Sequence, residues 1–168
     1  KTSPLNIYGL TKLEGEKSCI LNNPNSIIIR TSWVFSSFGN NFVKSIIKLS
    51  KIKKKINVVD DQVGSPTYAG DLADIILQII FLKKWIPGLY NFSNHGEVSW
   101  YQLALKIKQI YGFESEINPV LSSQFKTIAV RPKYSLLDKS KIKETFSLSI
   151  PNFIDSLEKC ILIIKNEK

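Results

Sequence analysis

The run "SIIIRTSWVF", residues 26 to 35, constrains this chain more than any other stretch. Its β-branched residues follow one another without the alternation of a half-solvated strand, as expected of a strand buried on both faces of a parallel sheet. Parallel neighbours are joined by long crossovers, usually helices, so helical periodicity should flank the run. Residues 4 to about 22 supply it, with Ser3 as N-cap, Pro4 at the first helical position, and Leu10, Leu13, Ile20 and Leu21 near one face. Residues 41 to 52 repeat the pattern through Phe42, Ile46, Ile47 and Leu49.

Further along, "INVVD" (56 to 60) reads as a short strand and "DQVGSPT" (61 to 67) as a loop. Asp71 should cap a helix whose stripe is Leu72, Ile75, Ile76, Ile79 and Ile80. "GLYNFS" (88 to 93) is another strand, and Ser99 caps a helix over 100 to 111 that ends at Gly112. Residues 116 to 137 are extended or looped. Asp138 starts a short helix, and 152 to 165 form a last amphipathic one through Phe153, Leu157, Ile161 and Ile164. Strands alternating with helices give an α/β class with parallel pairing.

A formal charge of +9 invites a nucleic-acid reading. Of the 23 basic residues, however, only Arg30 and Arg131 are arginines, the residue that bidentate phosphate and base recognition favours. The one lysine run, "KIKKK" at 51 to 55, suits a solvated helix end. No nucleic acid is expected. Cys19 and Cys160 read as buried or half-buried thiols of a reducing compartment. His95 is the only histidine, in the turn "SNHGE", so no metal site is expected. No apolar run approaches the roughly 20 residues that span a bilayer, and the chain reads as cytoplasmic. It contains no methionine and opens on a helix-start signal, which reads as a piece of a longer protein.

Chemistry enters with "SPLNIYGLTKLEGE", residues 3 to 16. Residues four apart on a helix share a face, so Tyr8 and Lys12 point the same way. A nearby ammonium favours the phenolate, and a phenol so placed can deliver a proton to a carbonyl oxygen as negative charge builds there. Gly9 removes a side chain where another molecule would approach. Alone, the pair has a blander usual meaning: a half-buried tyrosine beside a solvated lysine. Asp60 and Asp61 are adjacent on a strand end and face opposite ways, so they do not form an acid/base couple.

The segments "SPLNIYGLTKLEGE", "RTSWVFSSFGNNFVK", "VVDDQVGSPTYAGDLA", "GLYNFSNHGEVSWYQLA" and "RPKYSLLDKSKI" together resemble, in order, the second half of the dTDP-4-dehydrorhamnose reductases. These are extended short-chain dehydrogenase/reductases. The resemblance implies the C-terminal part of a Rossmann-type NAD(P)-binding fold over residues 1–60. The smaller substrate-binding domain would occupy 61–168, with the chain returning to the main domain in places. It also implies that Tyr8 protonates the sugar C4 oxygen as hydride arrives from NADPH or NADH, with Lys12 holding the nicotinamide ribose. Trp33 would pack on the substrate, a dTDP-linked 4-keto-6-deoxyhexose; a core tryptophan is the other reading. Asn40, Asn41 and the loop carrying Gln62, Pro66 and Thr67 would help form the pocket. Arg131 would contact the diphosphate, with a structural ion pair as the alternative.

What is missing bounds the expectation. The glycines at 9, 15, 39, 64, 70, 88, 96 and 112 make no G-x-G, so the dinucleotide fingerprint is absent. The expected function is therefore that of a fragment of a reductase, inactive in isolation. Two other readings stand beside it: a nucleotide-sugar epimerase or dehydratase of the same superfamily, and a non-catalytic regulatory relative. Homodimerisation is left open.

Overall fold

Helix α1 (Ile7–Asn22) begins three residues later than the Ser3–Pro4 signal predicts. Asn6 is the N-cap, in extended conformation, and its side chain accepts from the Gly9 amide, satisfying one of the donors a helix start leaves unpaired. The computed structural model describes residues 2–125 and 130–166. Residues 126–129, inside the stretch expected to be extended or looped, lie outside it.

The run at 26–35 does not form one strand. It divides into β1 (Ile27–Arg30) and β2 (Val34–Phe35), separated by a bend at which Trp33 takes φ +49°. A strand cannot pass through the left-handed region and keep its ladder, so the halves pair with different partners. β1 lies parallel to β6 (Gly88–Asn91), and β2 lies parallel to β5 (Thr67–Tyr68). Each residue of β1 is half-buried rather than sealed on both faces.

Helix α2 (Phe42–Ser50) precedes β3 (Lys55–Val59), which pairs in parallel with β8 (Glu116–Val120) over five residues. The loop at 61–67 carries a short strand, β4 (Val63–Gly64), set antiparallel to β7 (Val98–Ser99). Helices α3 (Ala69–Phe81), α4 (Trp100–Tyr111), α5 (Ser140–Phe146) and α6 (Phe153–Asn166) complete the chain, with a 3-10 turn at Ser122–Gln124. α4 follows its sequence signals residue for residue. Ser99 and Gln102 form a reciprocal capping box, and Gly112 closes the helix at φ +82°.

Two apolar cores result. One lies between the β3–β8 pair and helices α2, α4 and α6, with Val43, Ile46, Ile56, Ile107, Leu157 and Cys160 sealed inside. The other joins α3, α5 and β6 through Ile75, Ile79, Tyr90, Phe92, Ile142 and Phe146, with Ile27 and Ile29 of β1 packed against it. The cores interleave along the sequence, since β1 joins residues far downstream while α2 and β3 join the other core.

Two expectations, on Asp71 and on Cys19, are corrected here. Asp71 does not cap α3, because Tyr68 holds that position; Asp71 sits buried in the first turn and accepts from Asn94 and Ser156. No residue of α1 is buried: Leu10 and Ile20 remain about half exposed, and Leu21 more so. Cys19, on the same helix, is exposed, whereas Cys160 is buried as expected. The α1 stripe is apolar by sequence, but no other described element covers it. Among the described residues, no helix is long and apolar enough to cross a membrane.

Candidate active site

Tyr8 and Lys12 stand on the exposed wall of a cleft of about 590 Å³, also lined by Glu16, Ile29, Arg30 and Thr31. The Lys12 ammonium lies 5.5 Å from the centre of the Tyr8 ring. Tyr8 is 71% exposed, so its hydroxyl is available to a molecule in the cleft. Among the described residues, Lys12 has no hydrogen-bond or ion-pair partner. Glu16, one turn beyond Lys12, is instead taken up by Arg30 at the end of β1. The guanidinium donates to both carboxylate oxygens, at 2.7 and 2.5 Å. This bond to Glu16 raises the already high Arg30 pKa against the opposing effect of burial.

Gly9 lines the same cleft and also makes room for the chain itself. A β-carbon there would meet that of Pro4 at 3.1 Å, so the glycine lets the chain's own lead-in fold over the helix start. Asn6 reinforces that packing by donating to the Val130 carbonyl.

From Thr31, in the cleft, the backbone bends to Trp33, in a second concavity. The bend is tied from several sides. Ser32 Oγ donates to the Ser65 carbonyl, Thr67 Oγ1 donates to the Ser32 carbonyl, and the Thr67 amide donates to the Trp33 carbonyl. Thr31 Oγ1 in turn donates to Thr67 Oγ1. A bulky residue held at positive φ costs about 1–3 kcal/mol and persists where the surroundings over-determine it; the Ser65–Thr67 segment does so here.

Trp33 stacks on Trp100. Two adjoining cavities, of about 460 and 270 Å³, share Trp33, Gln62, Trp100 and Arg131. The larger continues inward over Phe42, Val58 and Leu103. Gln62 is buried and donates to Ser122 Oγ. Arg131 is exposed, and among the described residues no carboxylate pairs with it.

The structure thus brings Tyr8 and Lys12 together in one cleft, and Trp33, Gln62 and Arg131 in the concavity beside it. Pro66 and Thr67 are buried behind the bend, where Pro66 accepts from the Asn94 amide. Asn41 caps α2, and its amide donates to the Ser36 and Phe38 carbonyls. Asn40 is exposed beside Lys44, Lys48 and Tyr111, at a separate hollow. His95 is exposed, with its backbone bridged to Asn152. Asp60 and Asp61 accept from different partners, Ser99 and Ser122. Among the described residues, no cluster of His, Cys, Asp or Glu is arranged to hold a metal ion.

Sequence reasoning missed Trp100 and Gly64. An indole at the first position of a capped helix, in "VSWYQL", was the available signal for Trp100. A lone glycine in a strand, marking a close approach, was the signal for Gly64; a β-carbon there would lie 2.8 Å from the Trp33 ring.

A family model described as the RmlD substrate binding domain matches residues 1–165. The chain is 38% identical over 155 residues to the dTDP-4-dehydrorhamnose reductase of Aggregatibacter actinomycetemcomitans, an alignment that covers 86% of this chain and 53% of that protein. Its fold is similar to that of the Clostridium acetobutylicum dTDP-4-dehydrorhamnose reductase, with TM-score 0.92 and 36% identity over 98% of this chain and 58% of that one. The Bacillus anthracis reductase, solved in complex with NADP, aligns with TM-score 0.91 and 36% identity over 97% of this chain and 57% of that one. The chain spans about half the length of the curated relatives it matches.

Proposed function

This chain belongs to the RmlD substrate binding domain family, and from that premise we propose that it is the C-terminal half of an NAD(P)H-dependent dTDP-4-dehydrorhamnose reductase. The observation that carries the reading is the placement of Tyr8 and Lys12 on one open cleft wall, next to the Trp33 concavity. The product would be dTDP-L-rhamnose.

The residues present fit one end of a nicotinamide cofactor. An ammonium without a hydrogen-bond or ion-pair partner among the described residues and a phenol facing an open cleft form a donor set suited to ribose hydroxyls. A reduced nicotinamide, when bound, supplies hydride to the C4 carbonyl carbon. Tyr8 Oη donates its proton to the C4 oxygen as that oxygen gains charge. Lys12 fixes the ribose and stabilises the phenolate left behind. Trp33 and Trp100 offer an aromatic wall to the sugar nucleotide, Gln62 a polar group at its base, and Arg131 a guanidinium for the diphosphate. Asn41 and Thr67 act indirectly, by holding the backbone around this wall. The boundary between dinucleotide-binding and substrate-binding parts follows the two cores rather than a single cut in sequence.

The test uses the 168-residue chain alone and fused behind the dinucleotide-binding half of the Bacillus anthracis relative. With NADPH and dTDP-4-dehydro-L-rhamnose, the fusion is expected to consume one cofactor per sugar, and the chain alone essentially none. Tyr8→Phe in the fusion should lower kcat by roughly 100-fold or more while leaving substrate binding intact. Sugar conversion without net loss of nicotinamide absorbance would instead identify an epimerase or dehydratase. No turnover by the fusion would place the protein among non-catalytic relatives, and an unchanged rate in Tyr8→Phe would remove Tyr8 as the proton donor.

A further inference from the structure

We propose that Arg30 is a positioning residue that keeps Lys12 available by holding Glu16 away from it. The proposal rests on the functional reading of Lys12 given above, but its physical content is independent of turnover.

On α1, Lys12 and Glu16 are four residues apart and share a face, the spacing at which a lysine and a carboxylate pair across one turn. They do not pair. Glu16 is half-buried, and both of its oxygens are occupied by the Arg30 fork. Lys12 is left exposed, with the Tyr8 ring as its neighbour. Arg30 reaches Glu16 from the end of β1, so strand and helix must be docked for the clamp to close. A bidentate guanidinium outcompetes a single ammonium for a carboxylate, since the planar fork matches both oxygens. The other acidic side chain nearby, Glu14, is engaged by Lys17. Without Arg30, Glu16 is the carboxylate within one turn of Lys12 and free to swing onto it. The ammonium would then enter the cleft already neutralised.

The experiment is competitive acetylation of the full chain with limiting N-hydroxysuccinimidyl acetate. Lys12 is quantified by peptide mass spectrometry against the exposed Lys51 and Lys53. In Arg30→Gln, Lys12 is expected to react about twofold more slowly, the effect of one exposed ion pair across a helix turn, with the reference lysines unchanged. Glu16→Gln alone should leave Lys12 labelling at the wild-type rate, and Glu16→Gln/Arg30→Gln should restore it. A merely structural role for Arg30 would give no such rescue. If Arg30→Gln fails to fold by circular dichroism, Arg30→Lys takes its place, with intermediate labelling expected. Unchanged Lys12 labelling in the folded single variant, or a double variant as slow as the single, would overturn the proposal. Those outcomes leave the Tyr8→Phe assay untouched, so failure of the clamp and failure of the reductase reading are separate results.

Discussion

Trp33 and Trp100 stack face to face, their ring centres 3.6 Å apart and their planes 11° from parallel. One comes from a strained bend and the other from the first position of a capped helix. Phe42 packs at an angle against Trp100. Trp100→Ala is expected to cost about 1 kcal/mol from the lost stack alone, and more as the cavity opens. Trp100→Phe should retain most of that stability. Urea unfolding followed by tryptophan emission checks this in a Trp85→Phe background, which removes the exposed third indole, because the remaining Trp33 signal shifts red when the stack is removed. An unshifted spectrum in Trp100→Ala would show that Trp33 holds its place without its partner.

Gly64 lies against the same indole. A β-carbon at Gly64 would sit 2.7 Å from Ser135 Oγ and 2.8–2.9 Å from two carbons of the Trp33 ring. The hydroxyl can rotate, but the indole is pinned by Trp100. Gly64→Ala should therefore destabilise the fold by about 1–3 kcal/mol, the range for overpacking a filled site. In the reductase fusion it should raise the substrate KM more than it lowers kcat, since Tyr8 lies in the neighbouring cleft. A wild-type KM would dissociate Trp33 from the substrate.

Much of this was legible in the sequence, and what was not has physical causes. Helix α4 is legible residue for residue because its cap, stripe and terminal glycine are all local. The run at 26–35 reads as one strand because β-branched residues do not reveal a bend that is imposed from outside, by Ser65 and Thr67 gripping Ser32 and Trp33. Asp71 looked like a cap because an aspartate before an apolar stripe usually is one. Its real partners, Asn94 and Ser156, are 23 and 85 residues away. Tyr8 and Lys12 needed only the helical repeat, whereas Trp100 meets Trp33 solely through tertiary packing.

Asp71, Asn94 and Ser156 form a buried polar triangle between α3, α6 and the turn after β6. Asn94 Nδ2 and Ser156 Oγ both donate to Asp71 Oδ2, and Asn94 Oδ1 accepts from the Tyr68 amide. Removing one partner strands buried groups, at about 1–3 kcal/mol for each. Asn94→Ala should thus destabilise more than Ser156→Ala, which removes one hydroxyl but leaves Asn94 bound to Asp71 and to the Tyr68 amide. Asn94→Asp should be worst, because it sets a second carboxylate against Asp71. Urea midpoints in the order wild type, Ser156→Ala, Asn94→Ala, Asn94→Asp check the argument; an Asn94→Asp variant as stable as Asn94→Ala would refute it.

Asp61 holds the turn on which Gln62 depends. Its Oδ1 accepts from both the Ser122 hydroxyl and the Ser122 amide, while Ser122 Oγ accepts from Gln62. These bonds, the hydroxyl first, favour the ionised carboxylate and hold the Asp61 pKa below the usual 3.8. A group whose folded pKa is depressed contributes stability that is fully present above its unfolded value and is lost as pH falls through the folded one. The turn should therefore stay intact at pH 7 and loosen only below pH 3.8. By NMR, the Ser122 amide is expected to titrate with a midpoint under that value, and the titration should vanish in Asp61→Asn. Asp138 is held low in the same way by the Ser140 amide, so the Ser140 signal serves as a separate reporter in the same window. A Ser122 midpoint at or above 3.8 would mean that the carboxylate is not gripped by the turn, and that Gln62 owes its position to something else.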